Sequence, residues 1–244
     1  MGWLYDEFHR PMPGRCVIRA STESNPHLPE GYVAHLNLSD RMARAFLHGE
    51  WVVLEGVVFW NYGEESLVDV LPEPDRPTYG FLDFGGRKPY FGLIQDVDGL
   101  GEVVVEEVVS TDILESRHAR DIAEHLRSLG VVMLDCFCDP AGRSRSAQTG
   151  LSSFRVYEDA FLEAGVLSGK MLHPVGPIER HIPNGVEAVR ARLQAHDGSR
   201  KLFVSRALTE PERTSRYPGG AVGIHGALLG YRYPKNRPSN DLPL

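Results

Sequence analysis

The pattern of apolar and polar positions in the middle of the chain predicts three β-strands in succession. Residues 79–84, 90–95 and 102–109 are rich in aromatic and β-branched side chains, as strands usually are. A turn containing Gly85-Gly86 separates the first two strands, and Asp98-Gly99 separates the second from the third. Because short turns join strands that run in opposite directions, we expect a three-stranded antiparallel meander.

Helical spacing follows the meander. Apolar residues recur one helical turn apart from Ala119 to Leu129, and Gly130 stands where a helix commonly ends. The apolar run at residues 131–137 predicts a fourth strand. Since a helix that links two strands usually makes them parallel, we expect this strand to run parallel to the sheet.

Helices and strands continue to alternate toward the C-terminus. Helical spacing predicts helices at residues 154–164, 182–193 and 221–229. Residues 201–205 predict a last strand. The order of elements therefore favours an α/β fold.

The chain before residue 78 differs in composition and in its apolar pattern. It is rich in proline, histidine and charge, with a strand-like run at 15–20 and a helix-like run at 29–48. This part lacks the apolar pattern that a large core of its own would need. We therefore expect a connecting segment at 1–77, an α/β domain at 78–234 and a flexible tail at 235–244.

Composition narrows the class of protein. A chain of 244 residues with 42% hydrophobic content can bury a core, and a net charge of -7 does not favour nucleic-acid binding through overall charge. Cys16, Cys136 and Cys138 have neither disulfide-framework nor zinc-site spacing, so we expect free, mostly buried thiols. The sequence has no signal-peptide pattern and no run long enough to span a membrane, which predicts a soluble, intracellular protein.

Two aspartates at predicted strand ends carry the candidate chemistry. Asp83 ends the first strand, and Asp139 follows the fourth strand and opens Asp139-Pro140-Ala141-Gly142. A carboxylate among apolar strand residues is costly to bury unless a partner compensates it, so we interpret the pair as ligands of one cation. The alternatives are that Asp83 caps a turn and that Asp139, which precedes a proline, initiates one.

Acids on the first and fourth strands of such a sheet are the layout of the ribonuclease-H-like fold, a mixed α/β sheet of three antiparallel strands followed by parallel crossover strands and flanked by helices. The chain also resembles the large terminase subunits of tailed bacteriophages. The similarity lies in residues 20–33, 46–51 and 55–59, in Leu82-Asp83-Phe84-Gly85 and Asp139-Pro140-Ala141-Gly142, and in Gly185-Val186 with Val189 and Leu193.

The resemblance implies a metal-dependent endonuclease that cuts concatemeric double-stranded phage DNA during packaging. Asp83 matches the family's first catalytic aspartate and Asp139 its second, and both would bind Mg²⁺ or Mn²⁺. Residues 1–77 would be the end of an ATPase domain with its linker, and residues 78–234 the nuclease domain. The implied partners are DNA, the terminase small subunit and the portal, with oligomers during packaging, in the host cytoplasm.

Two features of the terminase pattern are missing. The family's C-terminal acids correspond to Gly223-Ile224-His225, which keeps only the histidine. His225 is either a softer ligand that favours Mn²⁺ or an ordinary helix-start or surface histidine. On this placement, Gly223→Asp or Ile224→Asp is expected to raise cleavage. Residues 165–171 are one residue short of a phosphate-binding loop, so this chain alone is not expected to hydrolyse ATP.

The arginines after Asp139 are the candidate DNA contacts. Arg143 and Arg145 would place guanidinium groups near a scissile phosphate, and the alternative is an ordinary solvated loop. Lys88, Lys170 and Arg180 are weaker candidates for the same role.

Two other functions compete with the nuclease. Residues 81–86 and Asp96-Val97-Asp98-Gly99 resemble the first phosphate loop of sugar kinases, but too little chain follows for that fold's duplicated domains. A terminase-like domain that has lost its third acid would bind DNA or the portal without cutting.

Overall fold

The computed structural model describes most of the chain after residue 56 and parts of the chain before it. The described residues are 14, 16, 18, 20–29, 31–36, 38, 43–44, 47–49, 57–85, 87–145, 150–169, 172–176, 182–210, 213, 217 and 222–233.

The described residues form four successive strands, after which helices and strands alternate. The helices are α1 (Tyr32–His35), α2 (Glu115–Leu129), α3 (Ser153–Ala164), α4 (Ile182–Leu193) and α5 (Ile224–Gly230). The strands are β1 (Leu67–Val68), β2 (Thr78–Asp83), β3 (Tyr90–Val97), β4 (Gly101–Val109), β5 (Asp135–Cys138), β6 (His173–Pro174) and β7 (Leu202–Ser205).

The chain divides into two compact units. The first, here called the sheet unit, comprises Glu64–Arg180 and Leu202–Ala227 and contains every strand named above. The second unit comprises Met1–Gly63, His181–Lys201 and Leu228–Leu244. In the second unit the buried guanidinium of Arg190 donates to the carbonyl of Val58 at 2.6 and 2.8 Å.

The sheet unit is built on a mixed sheet of seven strands in the order β1-β7-β4-β3-β2-β5-β6. Strands β2, β3 and β4 form an antiparallel meander. Strand β5, which follows α2, pairs parallel to β2, and β6 pairs parallel to β5. The predicted mixed α/β sheet, with its meander and its parallel crossover strand, is confirmed.

The core of the sheet unit lies between one face of the sheet and helices α2 and α3. Leu82 and Phe91 from the strands pack in one apolar cluster with Ile122 of α2 and with Tyr157 and Phe161 of α3. Alternation along β2 buries Leu82 on this face and turns Asp83 to the opposite one, where its side chain is exposed.

The fourth strand begins later than the sequence predicts. Residues 131–134 of the apolar run lie outside the strand, and Met133 forms only an isolated parallel bridge with Leu167. The N–H of Met133 donates to the carbonyl of Val166 at 2.8 Å, and the N–H of Leu134 donates to that of Thr78 at 2.8 Å. Met133 is nevertheless fully buried. Val131 and Met133 of this run are buried, whereas Val132 and Leu134 are exposed, and only Asp135–Cys138 forms the strand.

The single helix predicted at residues 29–48 is wrong. Helix α1 covers only Tyr32–His35, and Leu38 is not helical: its carbonyl accepts the backbone N–H of His196 at 3.1 Å. Of the strand predicted at 15–20, residues 15, 17 and 19 lie outside the described residues, and 16, 18 and 20 are not strand. The helix predicted at 221–229 begins at Ile224.

Candidate metal centre

Asp83 and Asp139 stand at the ends of neighbouring strands. Leu82 of β2 is paired with Cys138 of β5 in a parallel ladder, and each aspartate is the next residue along its strand. Phe81 and Phe137 are also partners, so both aspartates continue the same face of the sheet. Adjacent strands are about 4.8 Å apart. The sheet therefore brings together the two carboxylates that the sequence singled out.

A turn fixes each carboxylate through its Oδ1 atom. Oδ1 of Asp83 accepts the N–H of Gly85 at 2.9 Å, and Oδ1 of Asp139 accepts the N–H of Ala141 at 2.7 Å. Asp139 is thereby the N-cap of the 3-10 helix Pro140–Arg143. Among the described residues no hydrogen bond reaches either Oδ2 atom. The turn-capping roles are present, and they leave one oxygen of each carboxylate facing outward.

The burial argument made for Asp83 from the sequence is wrong. Its side chain is exposed at the carboxyl end of β2, and that of Asp139 is exposed directly after β5. Neither carboxylate therefore needs a cation to offset the cost of burial. What remains in favour of a metal site is the adjacency of two oxygen donors on one face of the sheet.

The donor chemistry fits a hard divalent cation. Mg²⁺ is commonly bound through one or two carboxylates while it keeps several waters, and Mn²⁺ accepts the same oxygen ligands. Within the described part of the chain no group of three His, Cys, Asp or Glu side chains is arranged to bind a metal. Two protein ligands are thus what these residues offer.

The side-chain space at Gly223, where the resemblance places a family acid, is filled by another side chain. Glu107 of β4 directs its carboxylate at the start of α5, where its Oε2 accepts the N–H of Ile224 at 2.8 Å. A Cβ atom built on Gly223 would overlap Oε1 of Glu107. The space for an acidic side chain at position 223 is therefore already occupied by a carboxylate.

His225 does not join the two aspartates in a metal-binding group among the described residues. Its side chain is partly buried, and this burial lowers its pKa, against the opposing influence of Glu64 and Glu107. The histidine stays neutral at neutral pH and faces acids other than the candidate ligands.

A buried polar cluster on β4 was missed by the sequence reasoning. Glu106 and Glu107 are both buried, and the phenols of Tyr90 and Tyr217 donate to the carboxylate of Glu107. Arg213 pairs with Glu106 and donates to the carbonyl of Glu107. A bulge opposite Leu93-Ile94 shifts the register just before these acids. The sequence signal was an adjacent pair of glutamates between runs of valine in β4.

The phenols of this cluster remain protonated at neutral pH. Burial together with Glu107 raises the pKa of Tyr90 well above its ordinary value. Burial, with the bond to Glu107, raises the pKa of Tyr217 to about 12. Both hydroxyls are therefore lasting hydrogen-bond donors to the carboxylate.

The predicted DNA-contacting arginines lie on the surface directly after Asp139. Arg143 ends the 3-10 helix, and its guanidinium lies 5.7 Å from the centroid of the Phe154 ring. Arg145 is exposed and forms an isolated bridge with Ser152. Lys88 is exposed after the β2–β3 turn, whereas Lys170 and Arg180 lie outside the described residues.

The cysteines are free. Cys136 and Cys138 of β5 are buried, and Cys16 is exposed. Burial raises the pKa of the Cys138 thiol to about 12 and that of Cys136 further. The two thiols beside the candidate centre are therefore protonated, which makes them poor metal ligands.

Comparison with known proteins agrees with this fold. The chain is similar to the large terminase of the thermophilic bacteriophage D6E, with 14% identity over 86% of this chain and 52% of that one, and a TM-score of 0.54. It is also similar to the P22 large terminase nuclease domain (14% identity, 71% and 87% covered, TM-score 0.45). A third similar structure is the large terminase nuclease of thermophilic phage G20c (10%, 78% and 87%, 0.43). No family model and no curated protein matches the sequence.

The sheet order and the D6E similarity define the class of fold as a ribonuclease-H-like mixed α/β sheet. Within that class the fold is similar to that of the D6E large terminase, which agrees at the level of the fold with the resemblance read from the sequence. The chain spans about half the length of the D6E protein. No helix among the described residues is long and apolar enough to cross a membrane.

Proposed function

We propose that this chain is the metal-dependent endonuclease domain of a phage DNA-packaging terminase and that it cuts concatemeric double-stranded DNA. The observation that carries the proposal is the pairing of Leu82 with Cys138, which sets Asp83 and Asp139 side by side at the carboxyl ends of β2 and β5. The terminase fold of the chain supports the same function.

In this proposal Asp83 and Asp139 hold Mg²⁺ or Mn²⁺ through their outward oxygens. A cation bound there would supply an activated water and neutralise charge on the phosphate. The backbone N–H groups of Gly85 and Ala141 keep each carboxylate in one orientation. Arg143 is proposed to contact the phosphate backbone, together with Arg145 on the same exposed loop.

The wider assembly follows from the same proposal. Residues 78–234 would be the nuclease domain, 1–77 the remnant of an ATPase domain with its linker, and 235–244 a tail. The partners would be double-stranded DNA, the terminase small subunit and the portal, in the host cytoplasm.

A plasmid-nicking assay with Mg²⁺ or Mn²⁺ tests the nuclease. We expect the wild type to nick and Asp83→Asn or Asp139→Asn to lower the rate by about 100-fold or more, because each removes a charged oxygen ligand. Asp98→Asn is the matched control, since Asp98 is an exposed aspartate of the sheet unit in the β3–β4 turn. Absence of nicking by folded wild-type protein with either ion would contradict the proposal.

A second function is favoured by one observation, the occupation of the Gly223 side-chain space by Glu107. A terminase-like domain without a third acid would bind DNA or the portal and leave DNA intact. Its signature would be a shifted DNA band in gel retardation, reduced by Arg143→Ala, without nicking in any metal.

A further inference from the structure

The sheet face opposite α2 and α3 carries an open groove. On β2 and β5 this face presents ring side chains, and that of Phe137 is 41% exposed. The groove, here called the aromatic groove, has a volume of about 380 Å³ and is lined chiefly by Tyr79, Phe81, Ile94, Asp96, Glu102 and Phe137. These residues all belong to the sheet unit.

The floor of the aromatic groove is fixed before any partner binds. A Cβ atom built on Gly92 would overlap the ring of Phe81, so the ring lies directly over the glycine backbone of the next strand. The Phe81 and Tyr90 rings are 5.7 Å apart between centroids, which holds Phe81 from a second side. A floor that does not have to be ordered on binding lowers the entropy cost of association.

The charges around the groove favour a partner that carries positive charge. Asp96 is exposed at the groove and Glu102 also lines it, whereas none of its described lining residues is lysine or arginine. Beside Phe137, Asp135 is 2.8 Å from the ring nitrogen of His173. A phosphate backbone would meet carboxylates here and no lysine or arginine among the described lining residues. A guanidinium would meet both ring faces and carboxylates.

We infer that the aromatic groove binds a peptide segment of a partner protein in which arginine or lysine stands beside an apolar side chain. The apolar side chain would pack on Phe81 and Phe137, and the cation would pair with Asp96. The volume suits a few side chains and not a folded domain. This binding site goes beyond the proposed nuclease and does not depend on bound metal.

Fluorescence anisotropy with short labelled peptides tests the inference. The probe alternates arginine with leucine, and its controls alternate arginine with serine and glutamate with leucine. We expect saturable binding of the arginine–leucine peptide and at least about fivefold weaker binding of both controls. Phe137→Ser and Asp96→Lys should each weaken the binding of the probe by about fivefold or more.

Two variants on the outer surface of α3 serve as matched controls. Leu162→Ser removes an apolar side chain that is 42% exposed, and Glu163→Lys makes the same charge change as Asp96→Lys. Both should leave the affinity for the peptide unchanged. Equal effects of Asp96→Lys and Glu163→Lys, or equal binding of the arginine–serine peptide, would overturn the inference.

Two further measurements distinguish a peptide site from a nucleic-acid site and from the proposed nuclease. A single-stranded thymidine oligonucleotide that displaces the peptide, with the loss of its own binding in Phe137→Ser, would make the groove a nucleic-acid site and overturn the inference. Peptide binding should be unchanged by EDTA, which removes the metal ion that nicking requires. Failure of DNA cleavage therefore leaves the groove result intact, and failure of peptide binding leaves the nuclease result intact.

Discussion

Glu107 is the buried carboxylate on which the start of α5 depends. Its side chain accepts hydrogen bonds from the phenols of Tyr90 and Tyr217 and from the backbone N–H of Ile224. Only 3% of the residue is exposed, and these donors replace the water that the carboxylate loses on burial. At the residue scale, this cluster connects two segments far apart in sequence within the sheet unit.

Glu107→Gln should destabilise the protein by about 2 kcal/mol, because the amide nitrogen cannot accept the hydrogen bonds that the second oxygen accepted. Urea unfolding measures the change as a lower midpoint with an unchanged slope. Glu124→Gln, on the exposed side of α2, is the control and should change the midpoint little. Equal stability of the two variants would contradict the role given to Glu107.

Gly223→Asp tests the filled position directly. The terminase resemblance alone predicts that an acid at this position raises cleavage. The structure predicts the opposite, because the new side chain would overlap the carboxylate of Glu107 and repel its charge. We expect a lower unfolding midpoint and no gain in nicking rate. A faster nicking rate with unchanged stability would show that Glu107 does not hold that space.

At the element scale, helices α2 and α3 are joined through a buried polar pair. The hydroxyl of Tyr157 lies 2.8 Å from Nδ1 of His118, and both side chains are fully buried in the core. Burial lowers the pKa of His118 and raises the pKa of the Tyr157 phenol. Both groups are therefore neutral when the helices are packed at neutral pH.

The burial of His118 predicts that the protein loses stability at acidic pH. Because the pKa of His118 is lower in the folded state than its value of about 6.5 in an unfolded chain, the unfolded state binds more protons below that pH. The contribution of His118 to the free energy of unfolding is full above about pH 6.5 and falls as the pH drops below that value. His125 and His225 have pKa values lowered in the same direction and add to the fall.

His118→Phe isolates the contribution of His118 to the pH dependence of stability. Unfolding by urea between pH 5 and pH 7 should show a shallower loss of stability in the variant than in the wild type, since one proton-binding group is gone. The variant loses stability at neutral pH as well, so the slope and not the absolute value is the readout. Identical slopes would contradict the assignment of acid sensitivity to His118.

Local patterns predicted most of the elements that have periodicity of their own. The meander and α2 are long enough for their apolar positions to repeat. Strands β1 and β6 have two residues each and contain no repeat, so the sequence could not indicate them. In the candidate site, the adjacency of Asp83 and Asp139 followed from the parallel crossover. The Glu107 cluster could not be predicted, because it depends on a bulge and on residues from distant segments.

At the scale of the whole molecule, the chain has the terminase fold and spans about half the length of the D6E protein. The sheet unit presents two features on one open face: the aromatic groove, and a pair of carboxylates at the carboxyl ends of β2 and β5. Asp83 lies two residues beyond Phe81 on that face, so the proposed metal site and the proposed peptide site are neighbours.

Anomalous diffraction from a Mn²⁺-soaked crystal tests the central claim most directly, because it locates the ion without relying on activity. The account predicts an anomalous peak at the carboxyl ends of β2 and β5, within about 2.2 Å of a carboxylate oxygen of Asp83 and of one of Asp139. The same soak of Asp83→Asn should show the peak weakened or lost. Clear density for both carboxylates with no peak between them would contradict the account.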